Sequence, residues 1–302
     1  MIVAALDVQT LVDAVGLGAV YALMAVGIGL VFGVLRLVNF AYGQLIMAGA
    51  YTLAFTSDWP RAAGIIACFA VVIALSLLLE VAVFRPLRTA SPAVMLVTTF
   101  ALAFLLQNVA LVLDIRDGTL GEPAVSLASL NQAVSIGGVD VRKVTILAVV
   151  VAAATLGLLA LLLGRTRIGL HMRAASTDFR TARLLGVRAD TVIGAAVLLS
   201  GVVAAAVAVI LTVQSPFVEP QFALKETIIV LVGVVVGGID RLWTATLGGF
   251  AIGFASGVIN GALPTDKTVF LPSALFALVI LVLLLRPGGL FARGGTAVVE
   301  RV

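Results

Sequence analysis

The sequence predicts an all-α integral membrane protein, a polytopic bundle of roughly eight to ten transmembrane helices, including short or re-entrant segments and a helix in a cytoplasmic loop. Three observations carry that expectation. Of 302 residues, 62% are hydrophobic and only 11% charged, and the mean hydropathy is +1.23. Such a chain has too little polar surface to coat a soluble globule of its size. Apolar runs recur along its length, and at 1.5 Å per residue about 20 residues cross a hydrocarbon core of about 30 Å. Charge collects instead in one passage, 165–190, where Arg165, Arg167, Arg173, Arg180, Arg183 and Arg188 face Asp178 and Asp190. Its balance of +4 equals the formal net charge of the whole chain, and arginine excess places it on the cytoplasmic side.

Each element follows from apolar length and basic ends. Leu11 to Leu35 form a span that Arg36 stops on the inside. Asp7 and Asp13, with no Lys or Arg before Arg36, place the N-terminus outside and argue against a cleaved signal peptide. Ala41 to Ser57 are shorter and interrupted by Tyr42, Gln44, Tyr51 and Thr52, as in a segment packed on protein rather than lipid. After an external turn, Ala62 to Phe84 return inward to Arg85, Pro86 and Arg88, where Pro86 is expected to end the helix. Glu80, near that inner end, is expected to pair with Arg85 or Arg88. Ala93 to Leu113 lead out to the longest polar interval, 114–143, an external loop with room for a small cap.

Val144 to Leu163 come in, loop 165–190 follows, and Thr191 to Val213 go out to a turn marked by Pro216 and Pro220. Thr227 to Ile239 span about 13 residues, below the usual crossing minimum of about 17, and so predict a tilted short helix or a re-entrant one. Leu242 to Leu263 and Val269 to Leu285 complete the set, with Arg286, Arg293 and Arg301 inside. The sum is about nine crossings in a single transmembrane domain over 1–302. Gly249, Gly253, Gly257 and Gly261 recur at every fourth position, with pairs at Gly29 and Gly33 and at Gly233 and Gly237. They are expected to serve helix packing within one subunit rather than a dimer face.

The chain carries little chemistry. Lys143, Lys225 and Lys267 are the only lysines and none follows a glycine, so there is no P-loop. One histidine, His171, and one cysteine, Cys68, offer no metal-ligand cluster. Ionisable groups are nearly absent from the spans, which removes the usual mark of a proton-driven carrier. No cofactor is expected on this chain, and topology explains its basic loops without nucleic acid as a partner. Neutral polar groups remain in the spans: Asn39, Tyr42 and Gln44, then Thr98, Thr99, Gln107 and Asn108, and further on Ser200, Ser256 and Asn260. Each can serve as interhelical hydrogen-bonding glue or line a path for a polar solute. Asn39 to Gln44 are the foremost path candidates, because one helix ends there and a short one begins.

From Ala174 to Leu185 the basic loop has helix-forming composition without proline, and Gly186 follows as a stop. At helical spacing Ala175, Phe179, Ala182 and Gly186 share one side, with Arg173, Arg180 and Arg183 on another. A helix resting on anionic headgroups would explain the basic stripe. The apolar side, small residues and one phenylalanine, suits a groove in another protein better.

These residues carry a resemblance. Thr166 to Val187, TRIGLHMRAASTDFRTARLLGV, is similar to the coupling-loop signature of the LivH-type permeases of bacterial ABC importers for branched-chain amino acids. Gly33 to Gly43 resembles the same family's G-x-x-x-x-I-N-F-A-H-G, Glu80 to Arg88 its E-x-x-x-Y-R-P-L-R, and Thr98 to Asn108 its T-I-G-x-S…L-Q-N helix. Val234 to Gly249 resembles the glycine-rich V-x-G-G…G-G segment and Arg286 to Phe291 the R-P-x-G-L-F end, so the likeness covers the chain from the first helix onward.

The resemblance implies a type II importer permease in the bacterial inner membrane, paired with a second homologous permease. It further implies two cytoplasmic ATPases that hold ATP and Mg and an extracytoplasmic solute-binding protein. In that picture Gly169, Arg173, Ala174, Asp178, Ala182, Leu185 and Gly186 match the coupling motif and would sit in a cleft of an ATPase. Tyr42 stands where the family usually has histidine, and Gln44 where it often has glutamate. Ala101 and Ala103 replace a glycine and a serine, and Ile239, Asp240 and Arg241 replace L-G-S. These departures bear on the solute, since related permeases move amides, urea or other amino acids. A self-contained secondary transporter or channel for a small neutral solute is the competing expectation.

Overall fold

The computed structural model describes residues 8–36, 38–87, 90–117, 121–136, 139–177, 179–238 and 241–286. Asp7, Arg88, Asp178, Ile239, Asp240, Arg293 and Arg301, all used above, lie outside them. In chain order the elements are α1 (Val8–Leu35), α2 (Tyr42–Phe55), α3 (Arg61–Leu79), a π-helical turn (Glu80–Phe84), α4 (Arg85–Leu87) and α5 (Pro92–Asp117). Strand β1 (Glu122–Pro123), a 3₁₀ turn (Val125–Asn131), β2 (Ala133–Ile136) and β3 (Val139–Arg142) precede α6 (Lys143–Arg165), α7 (Arg167–Thr177) and α8 (Phe179–Leu184). Then come α9 (Ala189–Gln214), β4 (Phe217–Val218), α10 (Leu224–Gly237), α11 (Leu242–Ala262), a 3₁₀ turn (Thr265–Phe270) and α12 (Leu271–Leu285).

Among the described residues, seven helical stretches are long and apolar enough to cross a membrane. The runs expected to be short form α2 and α10, each of 14 residues, about 21 Å at 1.5 Å per residue and so too short to cross alone. Helix α1 is the axis of the bundle, buried along most of its length and packed by α6, α9, α10 and α11. By contrast α5, α6 and α12 keep broad apolar faces exposed, as helices bordering lipid or another membrane subunit do.

Glycine sets the α1–α11 contact. Gly249 lies on Tyr21 and Ala25, Gly253 on Leu17 and Gly18, Gly257 on Ala14 and Gly261 on Thr10, so the fourfold file packs within the subunit as expected. A Cβ at position 253 would come within 2.9 Å of the Gly18 Cα and the Leu17 carbonyl oxygen, both backbone atoms. Gly253→Leu is therefore expected to destabilise the chain by about 1–3 kcal/mol. A thermal unfolding midpoint in detergent equal to that of the natural sequence would contradict this packing.

The basic segments gather at one end of the bundle. The Arg36 guanidinium donates to the Ser176 carbonyl, Arg85 pairs with Asp190 at 3.2 Å, and Arg173 and Arg241 line one cavity. The opposite end carries the small cap foreseen for 114–143. There β1 pairs antiparallel with β4 and β2 with β3, and the Tyr51 hydroxyl donates to Asp114 Oδ2 at 2.8 Å, tying α2 to α5.

Three expectations need correction. Pro86 does not end its helix. The turn widens over Glu80–Phe84, where the Arg85 N–H donates five residues back to the Glu80 carbonyl, and α4 continues through the proline. A proline ring crowds the carbonyl four residues before it, and a π turn opens that spacing. Of the two partners expected for Glu80, Arg85 reaches Asp190 instead, and Arg88 lies outside the described residues. Finally, the helix expected at 174–185 begins earlier, at Arg167, with helical residues to Thr177 (α7) and from Phe179 to Leu184 (α8) on either side of Asp178, which lies outside the described residues. The earlier start has a local cause: Thr166 Oγ1 accepts from the Gly169 N–H at 3.1 Å and caps α7 immediately after α6.

Candidate functional site

Two regions stand out, a seam inside the bundle and a loop at its basic end. At the seam, Asn39 Oδ1 accepts from the Ala41 N–H at 3.0 Å, turning the chain back from α1 into α2. Helix α2 therefore starts within the bundle. Tyr42 fills the space left by Gly27, where a methyl group would collide with its ring. Ser200 Oγ of α9 donates to the Gly27 carbonyl at 2.8 Å on the same turn of α1. Helix α10 also starts inside, since Ala223 and Thr227 are buried and a methyl on Gly43 would meet Thr227 Oγ1. Two short helices thus bring their N-termini together, each with the positive end of its dipole at the junction.

Four of the seven candidate path residues from Asn39 to Asn108 meet at this seam. Asn39, Tyr42, Gln44 and Thr99 are all buried, and Thr99 Oγ1 accepts from the Phe40 N–H at 3.5 Å while donating to Leu96 at 3.0 Å. Phe40 and Phe100 pack edge to face at 5.8 Å and hold the turn against α5. The Tyr42 hydroxyl and Gln44 Oε1 have no hydrogen-bond partner among the described residues. Thr98 and Asn108 spend their donors on their own helix, on Val94 and Phe104 at 2.8 and 2.7 Å. Gln107 is half-buried on α5, and no hydrogen bond among the described residues ties it to the seam. Thr227 and Ser200 complete the seam from distant parts of the chain, and no local spacing signals either contact.

At the basic end α7 is fastened to its own chain. Gly169 lies against the last carbonyls of α6, where any side chain would clash, and Met172, Ala175 and Ala182 are buried. The small-residue side expected to face a partner is thus partly spent inside this chain. What α8 presents outward is Leu184 and Leu185, 84% and 80% exposed. A leucine pair beside three arginines, out of phase with the alanines, was the available signal for Leu184. Arg173 is exposed and Ala174 half-buried. Gly186 closes α8 in the left-handed region, at φ +89°. The Val187 N–H reaches Ala182 and the Gly186 N–H reaches Arg183, both at 3.1 Å, a Schellman cap.

A bundle with seven spanning helices, two short helices meeting inside it and a protruding basic loop defines a multi-pass membrane transport protein. A family model described as "Branched-chain amino acid transport system / permease component" matches residues 10–286, and the chain belongs to that family. It is 29% identical to the high-affinity branched-chain amino acid transport system permease protein BraD of Pseudomonas aeruginosa, over 94% of this chain and 95% of that protein. It is 28% identical to the LivH permease proteins of Salmonella typhimurium and Escherichia coli over the same shares. No solved structure matches. The chain is the permease subunit of an ABC importer of the bacterial inner membrane, a transport component and not an enzyme, which implies ATPase and binding-protein partners.

Proposed function

We propose that the chain pairs with a second homologous permease, two cytoplasmic ATPases that bind ATP and Mg, and an extracytoplasmic binding protein, and carries a branched-chain or related amino acid inward. The relatives are named for branched-chain amino acids. One observation carries the coupling: α7 is rigidly seated under α6, and the Arg36 guanidinium ties its Ser176 carbonyl to the turn that opens α2. Arg36 is the one non-glycine among the described residues with positive φ, at 54°, a conformation that costs about 1 kcal/mol or more. Strain at a hinge lowers the work of reorienting it.

In this mechanism Ala174, Leu185 and Gly186 face the ATPase with Arg173 at the edge of that contact, while Gly169 and Ala182 fasten the loop to its own bundle. Asp178 of the same motif lies outside the described residues. ATPase closure pushes α7 and α8, Arg36 passes the displacement to 36–41, and the seam between α2 and α10 opens. The differential contact of the ATPase with the two arrangements supplies the driving force. The paired helix N-termini then accept the solute carboxylate, as half-helices in transporters do, with Asn39, Tyr42, Gln44 and Thr99 lining its way. Thr98, Gln107 and Asn108 border the path on the α5 side. Glu226, half-buried in the first turn of α10, faces the ammonium group.

Reconstitution in proteoliposomes tests the assignment. Uptake is expected only with ATPases, ATP and binding protein present together, and uptake by this chain alone on an ion gradient would overturn it. Calorimetry of the binding protein with leucine, isoleucine, valine, amides and urea names the solute. Binding of urea or amides alone would replace the amino acid while leaving the subunit's role intact.

A further inference from the structure

A second feature of the basic end is not used by the seam. A cavity of about 600 Å³ opens between α1, α6, α7 and α11. Leu30 and Val34, Leu159 and Leu163, and Leu242 form its walls, and Gly33 and Gly164 leave it wide, since a Cβ at either would meet nothing within 4 Å. Along α1 it runs from Val26 to Val34, about 12 Å at 1.5 Å per residue, against about 15 Å for the hydrocarbon of one leaflet. Its polar groups are Arg173 and Ser176 from α7, Arg241 just before α11, and Thr244 and Thr246 from α11, and among the described residues no carboxylate lines it. Next to it on α6, Leu158 and Leu161 are exposed, and Trp243 at its rim is 64% exposed. Exposed leucines beside a tryptophan mark a wall that meets lipid at headgroup level.

We propose that this groove binds one anionic phospholipid of the cytoplasmic leaflet, with an acyl chain between α1 and α6 and its phosphate against Arg173 and Arg241. Two arginines at the mouth of an apolar slot of leaflet depth match that molecule in both charge and shape, and the inner leaflet supplies it. The lipid bridges α7 to α11, so the coupling loop moves against a bound headgroup. The inference rests on the basic end being cytoplasmic, but not on the identity of the solute or of the ATPases.

Native mass spectrometry of the full chain, with phosphatidylglycerol and phosphatidylcholine added in turn, tests it. The natural sequence is expected to retain one phosphatidylglycerol roughly thirtyfold more strongly than phosphatidylcholine, the product of two arginine–phosphate attractions at the membrane surface. Arg241→Gln is expected to reduce that preference to roughly fivefold. Gly164→Leu, which favours the helix and fills the slot without meeting a neighbour, is expected to abolish retention of both lipids with an unchanged unfolding midpoint. Equal retention of the two lipids by the natural sequence, or undiminished phosphatidylglycerol retention in both variants, would overturn the proposal. So would a crosslink from Gly33→Cys, in the α1 wall of the groove, to another chain of the assembled importer, because a protein would then cover the groove.

Discussion

Gly186→Trp is expected to abolish ATP-dependent uptake while the permease still inserts and folds. Gly186 sits at φ +89° with open space around it. A tryptophan there meets no neighbour in its own chain, but it must adopt a backbone conformation that costs about 1–2 kcal/mol for an L residue. The Schellman cap between Ala182 and Val187 is weakened, and a large ring projects from the end of α8. Nothing in α6 or α9 is disturbed, so insertion proceeds normally. Leu185→Asp probes the same seat without backbone strain. An 80% exposed leucine at the tip of a helix is an anchor for a partner cleft, and losing such an anchor weakens association about thirtyfold or more. Uptake in proteoliposomes and ATPase retention on the immobilised permease read the two effects. Normal uptake and normal ATPase retention in both variants would mean that α8 does not couple transport to ATP.

Gln44→Leu is expected to lower uptake about tenfold or more while leaving the chain at least as stable. Gln44 is 2% exposed and its Oε1 has no partner among the described residues, and an unsatisfied buried acceptor costs about 1–3 kcal/mol. Leucine of similar volume removes that cost, so a purely structural position would gain from the change. A glutamine kept at such a cost is explained if the open seam gives Oε1 a partner, in solute or water. The unfolding midpoint and the uptake rate must therefore move in opposite directions, or the midpoint must stay while uptake falls. An unchanged rate would reduce Gln44 to packing and move the path elsewhere, and Tyr42→Phe provides the parallel check at the other unpartnered group.

Much of the architecture was legible because a bilayer leaves a chain few options. Backbone polar groups must be satisfied within helices, so apolar length marks the spans, and arginine placement marks their inner ends. The seven long helices, the two short ones and the external cap all follow from Val, Leu and Ala runs bounded by Arg36, Arg85, Arg165 and Arg286. The coupling-loop motif was legible as well, being contiguous from Thr166 to Val187. Its early start at Arg167 was less so, since the Thr166 cap that starts α7 is a single hydroxyl placed by the turn out of α6.

Composition and order along the chain determined the class of protein, its apolar spans, its basic end and the contiguous basic loop from Thr166 to Val187. Only the tertiary structure decided that α2 and α10 begin inside the bundle, that Gly43 lies on Thr227 and Tyr42 on Gly27, and that Ala175 and Ala182 are spent within the chain while Leu184 and Leu185 stay exposed. The reason is physical: periodicity reports which face of a helix is apolar, but whether that face meets its own bundle, lipid or a second protein depends on neighbours far away in sequence, brought there by the packing of the whole.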